Sequence, residues 1–208
     1  MRVGESIRKS IDDWLQNEPE ASMLHACNAV DGTARAAFPA LGSNARFTRL
    51  LRENYFILGP MGLPGINLEE TRFPVRVQKP KSPDGRPDIA DVIYGIHRCC
   101  HGHGEALPDG FELLADAAGP PRVTRISMRL LDRTIQLSDR VIFGLIAVAV
   151  LSPHNRGESI DDGYYLTFGS SQQLTINEWW GRAADFPAVA ATDPCPSVRM
   201  VFPDNLYG

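Results

Sequence analysis

The spacing of apolar residues in the first third of the chain predicts three amphipathic helices. Apolar residues recur every three or four positions over residues 4–16, which is the period of one helix face. A second such stripe, over residues 19–37, begins at Pro19 and ends before Pro39. Proline is favoured in the first turn of a helix, and helices usually end before a later proline. A third helix is expected over residues 43–58, with Gly59-Pro60 as its stop. The three stripes are Ile7, Ile11, Trp14 and Leu15; Met23, Cys27, Val30, Ala34 and Ala37; and Phe47, Leu50, Leu51 and Tyr55.

The second helix carries polar side chains on the face opposite its apolar stripe. These side chains are His25, Asn28, Asp31 and Arg35. Polar residues on one helix face are typical of a solvent-facing surface, and they also fit one wall of a functional site. Both interpretations are kept open at this point.

Residues 59–87 contain six prolines and predict a loop of about 28 residues, a length that often indicates function or flexibility. Asp88 follows as an N-cap, with Asp91 three residues later in the capping-box position. The helix that these two residues begin is expected to end at Gly102 and Gly104. Its apolar stripe is Ile89, Val92, Ile93, Ile96 and Cys100.

The second half of the chain alternates between short strands and one apolar helix. Residues 111–114, 123–130 and 134–137 are predicted as strands. Ser138 is predicted to cap a helix that ends at Leu151. A hairpin is expected from residues 164–168 and 174–176 around a turn at residues 169–171. The pattern indicates the α+β class, mainly α, with a helical domain over residues 1–155 and a β and loop extension over residues 156–208 that packs on it.

Composition narrows the possible functions. The 21 basic and 25 acidic residues give a net charge of −4, so the molecule has no global positive field for nucleic acid, and any such role needs a local site. The longest apolar run, residues 141–151, is too short to span a membrane. The N-terminus lacks a signal-peptide pattern. The spacing of the four cysteines fits neither a zinc nor a redox motif, which favours reduced thiols and a cytoplasmic location.

Three histidines lie within seven residues, together with an arginine and a glutamate, at the end of the helix that Asp88 begins. They are His97, His101 and His103, beside Arg98 and Glu105. A histidine near a helix end is usually a cap or a hydrogen-bonded core residue. His97 and His101 are one helical turn apart and could also hold zinc, but the base that zinc proteases carry in H-E-x-x-H is missing.

Arg98 and His103 together suggest a different chemistry, the cleavage of a phosphodiester. A guanidinium group binds a phosphate through paired hydrogen bonds, and an imidazole with a pKa near neutrality transfers a proton. RNA supplies its own nucleophile in the 2′-hydroxyl, so no metal ion is required. One such pair is small for a complete active site, and a twofold dimer would bring two pairs to one phosphate.

The segment VIYGIHRCCHGHGE, residues 92–105, resembles the signature helix of HEPN domains, in which an arginine and a histidine separated by four to six residues close a helical bundle. The earlier segments SMLHACNAVDGTARAAFP and RFTRLLRENY resemble the opening long helix of HEPN proteins. The resemblance covers roughly residues 5–153. It implies a dimeric HEPN-like antiparallel helical bundle, which in many members is a metal-independent ribonuclease of defence or toxin systems and in others an inactive nucleotide-binding or scaffolding partner.

The resulting expectation is a homodimeric endoribonuclease that cleaves single-stranded RNA through attack of the 2′-hydroxyl. Arg98 would bind the phosphate and His103 would move the proton. Because Gly102 and Gly104 flank His103, and positions 98 and 103 are about 140° apart on an ideal helix, His101 is the alternative proton carrier. The supporting residues are Asp31, Asn28 and Glu105.

The alternative expectation is a dimeric module of the same fold without turnover. Such a module would bind a nucleotide or a protein partner, and the net charge of −4 favours it. Under either expectation we predict no metal ion, no other cofactor and no contact with a membrane.

Overall fold

The computed structural model describes residues 2–104, 106–119 and 124–207, and for His101 and His103 it describes the backbone only. This part of the chain is mainly helical, with two small antiparallel sheets. The helices are α1 (Val3–Leu15), α2 (Pro19–Ala37), α3 (Ser43–Glu53), α4 (Tyr55–Gly62), α5 (Ile89–Val92), a π-helix (Ile93–Arg98), α6 (Cys99–His103), α7 (Arg140–Leu151), α8 (Ile176–Trp179) and α9 (Phe186–Ala190). Short 3₁₀ turns lie at Pro153–Asn155, Ala183–Asp185 and Asp204–Leu206.

The core forms around α7, which is apolar on nearly every side and buried along almost its whole length. Helix α4 crosses α7 at a pair of glycines, Gly62 and Gly144, where a Cβ on either residue would come within about 3.1 Å of the other's backbone. The ring of Trp14 in α1 packs edge-on against Phe143 of α7, with ring centroids 5.1 Å apart. The glycine pair therefore brings two helix backbones closer than ordinary side chains permit.

Helices α1 and α2 are joined by a reciprocal pair of buried hydrogen bonds. The hydroxyl of Ser10 donates to the carbonyl oxygen of Ser22 over 2.8 Å, and the hydroxyl of Ser22 donates to the carbonyl oxygen of Ser10 over 2.7 Å. Both serines are buried. The predicted helices over residues 4–16 and 19–37 are confirmed, with Pro19 at the start of the second.

The helix predicted over residues 43–58 is wrong, because two helices occupy that range. The side chain of Asn54 donates to the carbonyl oxygen of Leu50 over 2.8 Å, and α3 ends there. Helix α4 then continues through Pro60, which was predicted as a stop. Burial of α4 against α7 outweighs the hydrogen bond that a proline removes.

The N-cap predicted at Asp88 is confirmed, but the reciprocal bond of a capping box is absent among the described residues, because the carboxylate of Asp91 accepts the backbone N–H groups of Lys81 and Ser82. The carboxylate of Asp88 accepts a hydrogen bond from the backbone N–H of Asp91 over 3.0 Å. This helix, however, does not break at Gly102: α6 includes that glycine and ends at His103, and Gly104 has a φ of +68°. The left-handed conformation at Gly104 is one that glycine adopts without strain.

The two sheets are hairpins. In the first, β1 (Ser127–Arg129) pairs with β2 (Thr134–Gln136), and Met128 lies opposite Ile135. In the second, β3 (Tyr165–Phe168) pairs with β4 (Gln172–Thr175), which confirms the predicted hairpin.

The strand predicted over residues 111–114 is wrong apart from one isolated bridge between Leu114 and Ser138. The carboxylate of Asp139 accepts the backbone N–H groups of Asp116 and Ala117, so a side chain takes hydrogen bonds that a neighbouring strand would otherwise take. The first residue of the strand predicted over residues 123–130, Val123, lies outside the described residues.

Residues after α7 pack against the helices through a few specific contacts. The hydroxyl of Tyr164 donates to the carboxylate of Asp12 over 2.6 Å, and the buried side chain of Asn155 donates to Thr33 in α2 over 2.7 Å. Within the part of the chain that the structure describes, no helix is long and apolar enough to cross a lipid bilayer.

Candidate functional site

Arg98 is the last residue of the π-helix, and its side chain reaches α2. The backbone N–H of Cys99 donates to the carbonyl oxygen of Tyr94, five residues earlier in the chain. Each such wide turn contains one residue more than an α-helical turn and changes the direction in which the following side chains point. The apolar face of this segment, Ile93 and Ile96, is buried, and Arg98 lies on the side that faces α2.

Arg98 forms an ion pair with Asp31 of α2. Its Nη2 atom lies 2.7 Å from Oδ2 of the carboxylate, and the side chain of Arg98 is 26% exposed. The guanidinium carbon also lies 5.5 Å from the ring centre of Tyr94. Burial lowers the pKa of Arg98, but the hydrogen bond and the charge of Asp31 outweigh burial and raise the pKa above its ordinary value. Arg98 is therefore a fixed cation with part of its surface open to solvent.

A second arginine, which the sequence analysis missed, contacts the same carboxylate. Nη2 of Arg46 in α3 lies 3.5 Å from Oδ1 of Asp31, and only 12% of the Arg46 side chain is exposed. The buried Nε of Arg46 has no hydrogen-bond acceptor among the described residues. Asp31 thus faces two guanidinium groups, and the three residues together carry one excess positive charge.

The guanidinium group of Arg98 also lies beside the turn that carries two of the three clustered histidines. A Cβ placed on Gly102 would be 3.5 Å from Nη1 of Arg98, and Gly102 lies between His101 and His103 in the sequence. The side chains of these two histidines and the whole of Glu105 lie outside the described residues. The backbone of α6 therefore passes beside Arg98 at Gly102, the residue between the two candidate proton carriers in the sequence.

The remaining residues around this site differ in their accessibility. His97 is fully buried. Asn28 is partly buried on α2, three residues before Asp31. Cys27 is buried, and burial raises the pKa of its thiol. A thiol with a raised pKa stays protonated and is a poor nucleophile, so Cys27 is better described as part of the core.

Comparison with known proteins shows the family of this chain. The model of the family named Rv1289 matches residues 2–206. The chain belongs to the Rv1289 family. It is 42% identical over 208 residues to the uncharacterised protein Rv1289 of Mycobacterium tuberculosis strain H37Rv, and equally to the uncharacterised protein Mb1320 of Mycobacterium bovis. In both cases the match covers 99% of this chain and 96% of the relative. No solved structure matches the chain.

The chemistry open to this Rv1289-family site follows from its charges. Two arginines on separate helices share one carboxylate, so an anion that approaches Arg98 meets a positive field that Asp31 neutralises only in part. A guanidinium group offers several N–H donors in one plane, which suits the oxygens of a phosphate. The backbone of α6 adds two histidines beside it. The partly exposed guanidinium of Arg98 is therefore suited to bind an anion such as a phosphate.

Proposed function

We propose that this protein is a metal-independent endoribonuclease of the HEPN type that acts on single-stranded RNA. The observation that carries the proposal is the position of Arg98, which is held by Asp31 at 2.7 Å and lies against the turn between His101 and His103. A cation fixed by a carboxylate beside a pair of histidines meets the minimum requirement for cleavage that uses the 2′-hydroxyl as nucleophile.

The reaction needs one proton transfer at each end of the scissile phosphate. The 2′-oxygen attacks phosphorus and loses its proton, the bond to the 5′-oxygen breaks, and that oxygen takes up a proton. The products are a 2′,3′-cyclic phosphate and a 5′-hydroxyl. His103 moves a proton in this scheme, with His101 as the alternative, and Arg98 stabilises the charge that develops on the phosphate oxygens. Asp31 positions Arg98, and Arg46 adds positive charge.

A twofold dimer with two such sites side by side is part of the proposal, because one arginine and one histidine supply too few groups for both proton transfers and charge stabilisation. The antiparallel arrangement of an HEPN-like bundle is likewise proposed. Its support is the order of elements, in which two long helices precede the helix that carries Arg98.

The test is cleavage of a fluorescent single-stranded RNA in the presence of EDTA. The RNA should be cut, and the same oligonucleotide with 2′-deoxy sugars should stay intact. Arg98→Lys should lose cleavage, because an ammonium group does not present a planar pair of donors. Arg49→Lys is the matched control, since Arg49 lies on α3, is half exposed and is paired with Glu53. If the RNA survives while a known ribonuclease degrades it under the same conditions, the proposal fails.

Two further variants assign the proton carrier. His103→Ala should abolish cleavage and leave the melting temperature almost unchanged, because His103 is followed directly by the exposed Gly104 at the end of α6. His101→Ala should then retain activity. If His101→Ala abolishes cleavage and His103→Ala does not, His101 carries the proton. A fall of more than about 10 °C in the melting temperature of Arg98→Lys and both histidine variants would indicate a structural cluster.

The alternative function is a dimeric module without turnover that binds a nucleotide or a protein partner. The observation that favours it is that Asp31 already accepts a hydrogen bond from Nη2 of Arg98, which leaves Arg98 fewer donors with which to stabilise the additional charge of a transition state. Equilibrium dialysis with radiolabelled nucleotide separates the two. Stoichiometric binding that Arg98→Lys removes, with RNA left intact, would support the module over the ribonuclease.

A further inference from the structure

A cavity of about 450 Å³ lies on another part of the molecule. It is enclosed by α4, by the loop that follows α4, by the end of β3, and by the tail after α9. Its lining contains none of the residues placed above at the Arg98 site. Any ligand of this cavity therefore belongs to a second site, whose existence does not depend on the proposed ribonuclease activity.

The walls of the cavity expose polar and apolar groups in similar measure, and they include aromatic rings from two elements. Tyr55 and Phe56 contribute from α4, and Phe168 contributes from β3. Tyr55 and Phe168 are buried, whereas Phe56 is 43% exposed. An exposed phenylalanine next to buried aromatic rings on a concave surface is typical of a site that covers an apolar ligand.

The charged side chains that line the cavity are both carboxylates, Glu69 and Asp193. Two arginines follow closely in sequence, and each already faces a carboxylate: Arg72 lies 2.9 Å from Asp84, and Arg199 lies 3.8 Å from Glu70. Among the described residues, no basic side chain lines the cavity. The described lining therefore carries a formal charge of −2, from the solvent-exposed Glu69 and the partly buried Asp193.

The main chain fixes one of these two carboxylates. Gly169, at the end of β3, has a φ of +61°, and a Cβ on this residue would collide with the carboxylate of Asp193. Only a residue without a side chain allows this close approach. The carboxylate of Asp193 thus packs against Gly169 at the cavity wall, while Glu69 lies in the loop that follows α4.

We propose that this cavity binds a small organic cation with an apolar body, such as an alkyl or aryl ammonium compound. The cationic group interacts with the carboxylates of Glu69 and Asp193, and the apolar body packs against Phe56 and the adjoining aromatic rings. An aromatic face attracts a cation as well as an apolar group, so the two kinds of wall act on one ligand together.

The first experiment measures binding of benzyltrimethylammonium to the full-length chain by isothermal calorimetry. The neutral analogue neopentylbenzene, which has the same shape, and the anion phenylacetate are the comparison ligands. The cation should bind, and Glu69→Gln should weaken its binding about fivefold, as expected for one partly solvated charge pair. Glu70→Gln is the matched control, because Glu70 is the next residue in the loop but faces Arg199.

A second measurement locates the ligand through Cys195, which lines the same cavity. Alkylation of Cys195 by uncharged iodoacetamide, followed by peptide mass spectrometry, should slow when benzyltrimethylammonium is present. The labelling rates of Cys99 and Cys100 should stay unchanged, because these residues lie beside Arg98. Phe56→Ala should weaken both binding and protection.

Several outcomes would overturn this proposal. Equal binding of the neutral analogue would show that the charge plays no part. Unchanged binding in Glu69→Gln, or protection of Cys99 in place of Cys195, would show that the cation binds elsewhere. Failure of all three ligands to bind would remove the site. None of these results affects RNA cleavage, which is measured on a different substrate and with different variants.

Discussion

Asp31 has the most demanding position of any residue in the candidate site, because its carboxylate faces two guanidinium groups. One oxygen lies 2.7 Å from Arg98, and the other lies 3.5 Å from Arg46. The side chain of Asp31 is only 15% exposed, so water cannot replace it as the partner of both cations. The charge at this single position therefore decides whether two arginines can lie next to each other.

Asp31→Asn should lower the free energy of unfolding by about 2 kcal/mol, because it leaves two partly buried cations without a counter-ion. The measurement is urea denaturation at low salt. Asp185→Asn is the control, since its ion pair with Arg182 has the same 2.7 Å distance but is half exposed, and its loss should cost less than about 1 kcal/mol. Equal effects of the two substitutions would contradict this account.

Asp139 gives the molecule a defined pH dependence. Burial raises the pKa of its carboxyl, and the neighbouring Asp116 raises it further, although two backbone N–H groups act in the opposite direction. An acid whose pKa is raised in the folded state stabilises the fold most below its unfolded pKa, and this stabilisation is lost as the pH rises through the folded pKa. The loss begins near the ordinary value of 3.8 and continues until the pH has passed the raised pKa of the folded state.

Asp139→Asn should therefore be more stable than the wild type at pH 7. The asparagine oxygen still accepts the N–H groups of Asp116 and Ala117, and the amide carries no charge. Chemical denaturation at a series of pH values should show that this advantage shrinks as the pH falls towards 4. An advantage that stays constant with pH, or a loss of stability at pH 7, would show that the charge of Asp139 is not the cause.

Among single residues, the sequence could indicate Arg98 and Asp31 as members of the site, but it could not indicate that Arg46 contacts Asp31. Arg98 stands out because it lies among histidines, and Asp31 because it lies on the polar face of a regular helix. Arg46, Arg49 and Arg52 occupy one helix and look alike in the sequence. Only the packing of α3 against α2 separates them, and that packing is not encoded in the spacing of α3 itself.

Among the elements, the long proline-rich loop is held by a buried group of charges. Arg52 of α3 lies 2.6 Å from Asp88 and 2.9 Å from Asp91, and both carboxylates are almost completely buried. Asp91 also accepts the backbone N–H groups of Lys81 and Ser82 over 2.7 and 3.1 Å. One arginine thereby joins α3, the start of α5 and the end of the loop.

Arg52→Ala should destabilise the protein by roughly 3–5 kcal/mol, because it leaves two buried carboxylates without their cation. The melting temperature should fall by about 10 °C in a chain of this length. Arg49→Ala lies one turn earlier, breaks an exposed pair with Glu53 and should change the stability by less than about 1 kcal/mol. If the two variants melt at the same temperature, the buried charges do not hold the loop.

The same elements show which helix boundaries can be predicted from the sequence. The N-cap at Asp88 could be predicted because the capping residue and the first turn of its helix are neighbours in the chain. The end of α3 at Glu53 could not, since the apolar stripe continues through Tyr55 and hides the change of direction at Asn54. The π-helix that ends at Arg98 was missed as well, because no residue type marks a helical turn that contains one residue more than an α-helical turn.

For the molecule as a whole, the tail completes the surface around the cavity. The backbone N–H of Val198 donates to the carbonyl oxygen of Gly65 over 2.9 Å, and the carbonyl oxygen of Val198 accepts the N–H of Asn67 over 2.9 Å. Further along, the hydroxyl of Tyr207 donates to the carbonyl oxygen of Arg72. The tail is therefore attached to the loop after α4 by two backbone hydrogen bonds at Val198 and by side-chain contacts such as that of Tyr207.

Val198→Pro should loosen this attachment, because proline has no N–H to donate to Gly65. The cost should be about 1 kcal/mol, and limited proteolysis should cut the tail faster than in the wild type. Val198→Ala is the control, since the side chain of Val198 is 63% exposed and contributes little. If the proline and alanine variants are cleaved at the same rate, the backbone pairing does not hold the tail.

The attachment of Val198 to Gly65 also sets an order for folding during synthesis. The partners of this contact are more than 130 residues apart in the chain, and such distant pairs form late because closing a long loop costs entropy. Helices α1 to α4 leave the ribosome before residues 193–198 are made. We therefore expect the aromatic wall of α4 to stay uncovered on the nascent chain until residues 193–198 have left the ribosome and paired with the loop after α4.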